Sequence, residues 1–95
     1  MFFAMYRFDG DRAHLAAAYD RLMHAFPIAQ IALQACVERD GGLDTYDACP
    51  SREEFESFSA SDGFRDALKS AGLPSPRIVP LGPVNAAFAR GARMA

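Results

Sequence analysis

The 95-residue sequence predicts a single α+β domain with elements in the order β-α-β-β-α-β. Three observations carry that expectation. Phe2 to Phe8 is a strand-like run dense in aromatics, closed by Asp9-Gly10. An apolar stripe at helical spacing follows and stops at Pro27. Ile28 to Ser59 then reads as strand, glycine turn, strand and capped helix, which is a hairpin feeding a helix.

Each element has a local cause. Asp11 is placed to accept from the first free N–H groups of a helix, and Leu15, Tyr19, Leu22 and Phe26, widened by Ala18 and Met23, give that helix one apolar face. Pro27 ends it, because the residue before a proline is pushed out of the helical region. The strand Ile28 to Glu38 alternates, with Ile31, Leu33, Ala35 and Val37 on one side and Ala32, Gln34, Cys36 and Glu38 on the other. A two-residue turn at Gly41-Gly42 sets Val37 opposite Tyr46, Ala35 opposite Ala48 and Cys36 opposite Asp47. Leu43 to Cys49 forms the return strand, stopped by Pro50. Ser51 and Glu54 have capping-box spacing, with Phe55 and Phe58 on the apolar side of the helix they start. Ser61-Asp62 begins a further helical piece facing inward through Phe64, Leu68 and Ala71, with Gly72 as its stop. After Leu73-Pro74-Ser75-Pro76, Arg77 to Phe88 reads as a last strand. Pro80 and Pro83 cannot donate to a ladder, so this strand belongs at an edge or carries a bulge. Residues 1–88 thus make the domain, and residues 89–95 a C-terminal tail.

This order is the ferredoxin-like plan, a four-stranded antiparallel sheet with helices on one side. Those helices cannot hide both Phe2/Ala4 and Phe3/Met5. A second copy packed sheet to sheet would cover the remaining side, so a homodimer is expected.

Composition excludes several classes. A net charge of −2 offers no basic field for a nucleic-acid backbone. No apolar run approaches the roughly 20 residues that span a bilayer. The Met1 to Asp9 segment lacks the basic and apolar regions of a signal peptide. Two cysteines are too few for a disulfide framework, so a reducing cytoplasm is the expected location.

The chemistry-bearing residues are sparse. Cys36, Asp47 and Cys49 share one face of the hairpin, expected to line the inside of a sheet-on-sheet assembly. Desolvation there would raise Asp47 towards general-base duty. Two thiols without a nearby histidine make an incomplete zinc set, so no metal is expected. With Leu15 as origin, His24 falls at about 180° and His14 at about −100° around the helix, so His14, at the edge of the apolar stripe, is the histidine that could touch a ligand and joins Asp47 as a catalytic candidate. Tyr6, Arg7 and Asn85 could orient a carbonyl or anionic ligand.

The segments Gly42-Leu43-Asp44-Thr45-Tyr46-Asp47 and Ser51-Arg52-Glu53-Glu54-Phe55-Glu56-Ser57-Phe58, with Ala71-Gly72-Leu73-Pro74 and a closing strand near Val84-Asn85, resemble the dimeric α/β-barrel superfamily. That superfamily includes antibiotic-biosynthesis monooxygenase-like and stress-responsive A/B barrel proteins. The resemblance implies a dimeric barrel that binds a small apolar molecule or serves as an assembly module, without a cofactor. It alternatively implies a cofactor-independent monooxygenase or isomerase acting on a small aromatic or polyketide-like substrate. In that case Asp47 would be the base, and Tyr6 or Asn85 would orient the substrate. The sequence departs from the family where a Trp often precedes the Ser-Arg-Glu helix start. Cys49 stands there and the chain has no Trp, so the Trp, Asn and His set of haem-degrading relatives cannot be assembled.

Overall fold

A computed structural model of the chain describes residues 1–95, apart from the side chain of Ile28. Strand β1 (Phe2–Asp9) leads into helix α1 (Arg12–Ala25), then a short 3-10 turn (Ile28–Gln30) and the hairpin β2 (Gln34–Arg39) and β3 (Gly42–Cys49). Helices α2 (Arg52–Ser59) and α3 (Asp62–Ala71) follow, then β4 (Arg77–Pro83) and a small ribbon, β5 (Phe88–Ala89) with β6 (Ala92–Arg93). The four longer strands form one antiparallel sheet in the order β2-β3-β1-β4. The architecture is α+β, and no helix is long and apolar enough to cross a membrane.

The helix ends follow from their caps. Asp11 accepts from the His14 N–H at 2.9 Å, Ser51 from Glu54 and Ser61 from Phe64, each at 3.1 Å. Each satisfies a donor that the first turn leaves free. Gly72 closes α3 in the left-handed conformation.

Side-chain alternation in β1 divides the molecule. Phe2, Ala4, Tyr6 and Phe8 pack with Leu15, Ala18 and Leu22 of α1, Phe55 of α2, and Phe64 and Leu68 of α3. Leu15 is 1% exposed, and truncating such a residue to Ala costs about 2–5 kcal/mol. Phe3, Met5 and Arg7 point the other way, beside Ala48, Tyr46 and Asp44 of β3 and Val79 of β4. This second face has no helix, and Val37 (46%) and Leu81 (50%) are exposed.

Four details differ from the sequence reading. The apolar run from Ile28 enters the ladder only at Gln34. In the observed register Ile31 would face Pro50, which has no N–H to donate, so the chain first makes a 3-10 turn and meets β3 through Ala48 N–H to Leu33 O, 3.0 Å. The hairpin turn is Asp40-Gly41 rather than Gly41-Gly42. Gly41 carries the positive φ, whereas Gly42 is a strand residue whose added Cβ would lie 1.9 Å from Phe8 O. The pairing therefore slides by two residues, setting Gln34 opposite Asp47, Cys36 opposite Thr45 and Ala35 opposite Tyr46. An even shift keeps every side chain on its expected face. Third, β4 ends at Pro83 rather than Phe88. It lies at the sheet edge with a bulge that leaves Leu81 between Pro80 and Gly82. Finally, the stretch read as a tail contains a β ribbon: Arg90 and Gly91 both take positive φ in a tight turn, and Arg93 lies over the Phe88 ring at 5.7 Å.

Candidate functional site

A pocket of about 400 Å³ opens between the helices and the covered face of the sheet. α1 supplies Tyr19, Leu22, Met23 and Phe26, and α3 supplies Phe64 and Leu68. α2 adds Glu54 and Phe58, and the loop before β2 adds Gln30 and Ile31. The floor is strand: Tyr6 and Phe8 from β1, Gln34 from β2, and Thr45, Asp47 and Cys49 from β3. The helical stripe that builds the core thus also walls the pocket.

Two polar atoms of these lining residues lack partners. Tyr6 Oη and Asp47 Oδ1 are buried and make no hydrogen bond among the described residues. Buried polar groups are normally paired, and each orphan costs about 1–3 kcal/mol. Alternation explains their meeting: Tyr6 faces Thr45 and Asp47 faces Ala4, so the two are diagonal neighbours on one face of the β1–β3 pair. Ala4 has no side-chain bulk with which to fill the space over Asp47. On the other flank, the Tyr19 hydroxyl donates to Gln34 Oε1, and the Gln34 amide makes no hydrogen bond to Asp47 Oδ1.

Burial without a compensating cation pushes the Asp47 carboxyl up to about 6. Burial raises the Cys49 thiol to about 11, with the charges of Asp47 and Glu54 adding to it. It also raises the Tyr6 phenol, again helped by Asp47 and Cys49, so that Tyr6 stays neutral and can donate or accept. Above pH 6 the pocket thus holds one buried carboxylate and a neutral phenol.

The candidates named from sequence divide into two groups. Tyr6, Asp47 and Cys49 are brought together in the pocket. The face carrying Cys36, Asp47 and Cys49 is turned to the helices, not to the open side of the sheet as expected. The register parity was right, but β1 aligns that face with its buried residues Phe2, Ala4, Tyr6 and Phe8. Cys36 is exposed and does not line the pocket, although partial burial still raises its thiol. His14 is exposed on α1, outside the pocket, as is His24, whose Nδ1 lies 2.7 Å from Asp20 O. Arg7 lies on the opposite face, where its Nε and Nη2 donate to Asp44 at 3.0 and 2.9 Å, away from the pocket. Asn85 is exposed beyond β4, in a shallow groove beside Phe3 and Leu81.

Glu54, Gln34 and Tyr19 are pocket residues the sequence did not single out. Glu54 was legible as a cap partner only. Its N–H does bind Ser51 Oγ, while its carboxylate side chain borders the pocket. Among the described residues no three His, Cys, Asp or Glu side chains converge as metal ligands. Comparison of the chain with family models, curated proteins and solved structures returns no match.

Proposed function

We propose that this chain is a small-molecule binding domain that holds a compact, largely apolar ligand in the pocket between helices and sheet. The observation that carries this reading is a pair of buried, unpartnered polar atoms, Tyr6 Oη and Asp47 Oδ1, on two residues that line a pocket walled largely by aromatic and aliphatic side chains. A folded core normally fills or pairs such groups, and the pocket beside these two side chains is the place from which a partner would reach them.

The scaffold reading goes with it. The strand order β2-β3-β1-β4 and the helices on one side support a ferredoxin-like domain. The uncovered face, with Val37 and Leu81 exposed beside the stacked Phe3 and Tyr46 rings, supports pairing of two copies sheet to sheet. Native mass spectrometry of protein purified from its host tests both parts. A dimer carrying a small ligand, which the double variant Tyr6→Phe, Asp47→Asn no longer carries, is the expected spectrum. A bare monomer at every concentration contradicts it.

A second reading is favoured by Asp47 titrating near neutrality. As an isomerase, Asp47 would take a proton from a carbon beside a carbonyl held by the Tyr6 hydroxyl, and return it to another carbon of the same substrate. Asp47→Asn would then abolish turnover while leaving binding in place.

A further inference from the structure

The pocket has a pronounced charge and ring bias. Its acidic groups are Asp47 on the floor and Glu54 at the side, and no Lys, Arg or His lines it among the described residues. Its wall is a chain of touching rings: Phe26 to Phe58 at 6.3 Å, Phe58 to Phe64 at 4.7 Å, and Phe64 to Tyr6 at 5.3 Å. That chain ends at Tyr6, which is 4% exposed and whose hydroxyl is one of the two unpartnered atoms.

We propose that the ligand is an organic ammonium, a protonated amine on a small aromatic or aliphatic body, whose N–H groups pair with the Asp47 carboxylate beside Tyr6. The inference rests on the pocket being a ligand site and narrows what that site accepts. An anion would meet the like charges of Asp47 and Glu54. A neutral molecule would leave the buried carboxylate uncompensated. An ammonium removes both objections, and its charge is further favoured by the negative faces of aromatic rings.

The groups facing Asp47 fix the pH behaviour. β1 presents Tyr6, α1 presents Tyr19, β3 presents Cys49 and α2 presents Glu54, while β2 and α3 present Gln34, Phe64 and Leu68. None is a cation that could take the ammonium's place. Binding therefore requires the Asp47 proton to leave, and affinity falls as pH drops below about 6.

Calorimetric titration of the full chain with phenethylamine, phenethyl alcohol and hydrocinnamate tests this. At about pH 8 the amine is expected to bind at least about tenfold more tightly than the alcohol, with hydrocinnamate weakest. Lowering the pH to about 5 should cost the amine roughly tenfold and leave the alcohol unchanged. Asp47→Asn, with its fold checked by circular dichroism, should lose the amine's advantage while still binding the alcohol. Equal affinity of amine and alcohol at the higher pH would overturn the ammonium assignment and leave the ligand site standing. An amine preference that survives Asp47→Asn would likewise overturn it. Failure of all three compounds to bind in the millimolar range would remove the site and the assignment together.

Discussion

Asp44 and Asp47 lie three residues apart on β3 and meet opposite fates. Asp44 faces the helix-free side, where Arg7 grips it with two nitrogens and Arg39 Nε donates at 2.8 Å. Arg39 also donates to Phe8 O and pairs with Asp9, tying the hairpin turn to the end of β1. The Arg7 hydrogen bond, with that of Arg39, holds the Asp44 carboxyl below the usual carboxylate range despite its burial. Asp47 faces the helices, has no cation, and is pushed up to about 6. A strand places consecutive residues on opposite faces, so an odd offset was enough to separate a satisfied charge from an unsatisfied one. The satisfied one fastens the fold. The unsatisfied one is available to a ligand.

Breaking the satisfied side should have the largest effect. Asp44→Ala strips two guanidiniums of their shared partner and is expected to destabilise by about 3 kcal/mol in urea unfolding at neutral pH. Since its folded pKa is depressed, that stability is present above the unfolded value of 3.8 and disappears as pH falls below it. Asp47 works with the opposite sign. Its folded pKa exceeds the unfolded 3.8, so the folded state is favoured while Asp47 is protonated and loses that advantage as pH rises through about 6. Discounted for the part of the carboxyl that solvent screens, Asp47→Asn should therefore stabilise the ligand-free protein by on the order of 1–2 kcal/mol at pH 8, with the gain vanishing near pH 4. A variant no more stable than its parent at both pH values would erase the contrast between the two aspartates.

Smaller effects sharpen the contrast. Tyr6→Phe removes a buried hydroxyl that bonds nothing, so the ligand-free protein should gain about 1 kcal/mol of stability in thermal unfolding. Ligand affinity should still drop. Val37→Lys, on the helix-free face, should leave the domain's own stability within about 0.5 kcal/mol. It should convert the proposed dimer to monomer in sedimentation velocity. An unchanged subunit count would show that this face meets only solvent.

The sequence made the locally caused features legible. Asp11, Ser51 and Ser61 cap where their spacing says they must, and Gly72 stops α3, because caps involve only a few neighbouring residues. The prolines of β4 similarly forced the edge and the bulge. What local pattern could not supply was distance across the chain. The steric need of Gly42 depends on Phe8 O, which is thirty-four positions earlier in the chain. Alternation correctly grouped Cys36, Asp47 and Cys49, but which side of the sheet α1 would cover is decided by β1, so the group was assigned to the wrong side. Arg7 read as a free cation because Asp44 becomes its neighbour only through strand pairing. Of the candidate site, Tyr6, Asp47 and Cys49 were visible as residue types; Glu54 was hidden behind its role as a cap.

The most direct measurement is a carbon-detected NMR titration of the Asp side-chain carboxyls in the ligand-free protein. The Asp47 resonance should titrate with a midpoint close to 6, well separated from an Asp44 resonance still ionised below the ordinary 3.8. An Asp47 midpoint at or under 3.8 would mean that a cation or donor already satisfies this carboxylate, and the pocket would then have no unpaired charge to offer.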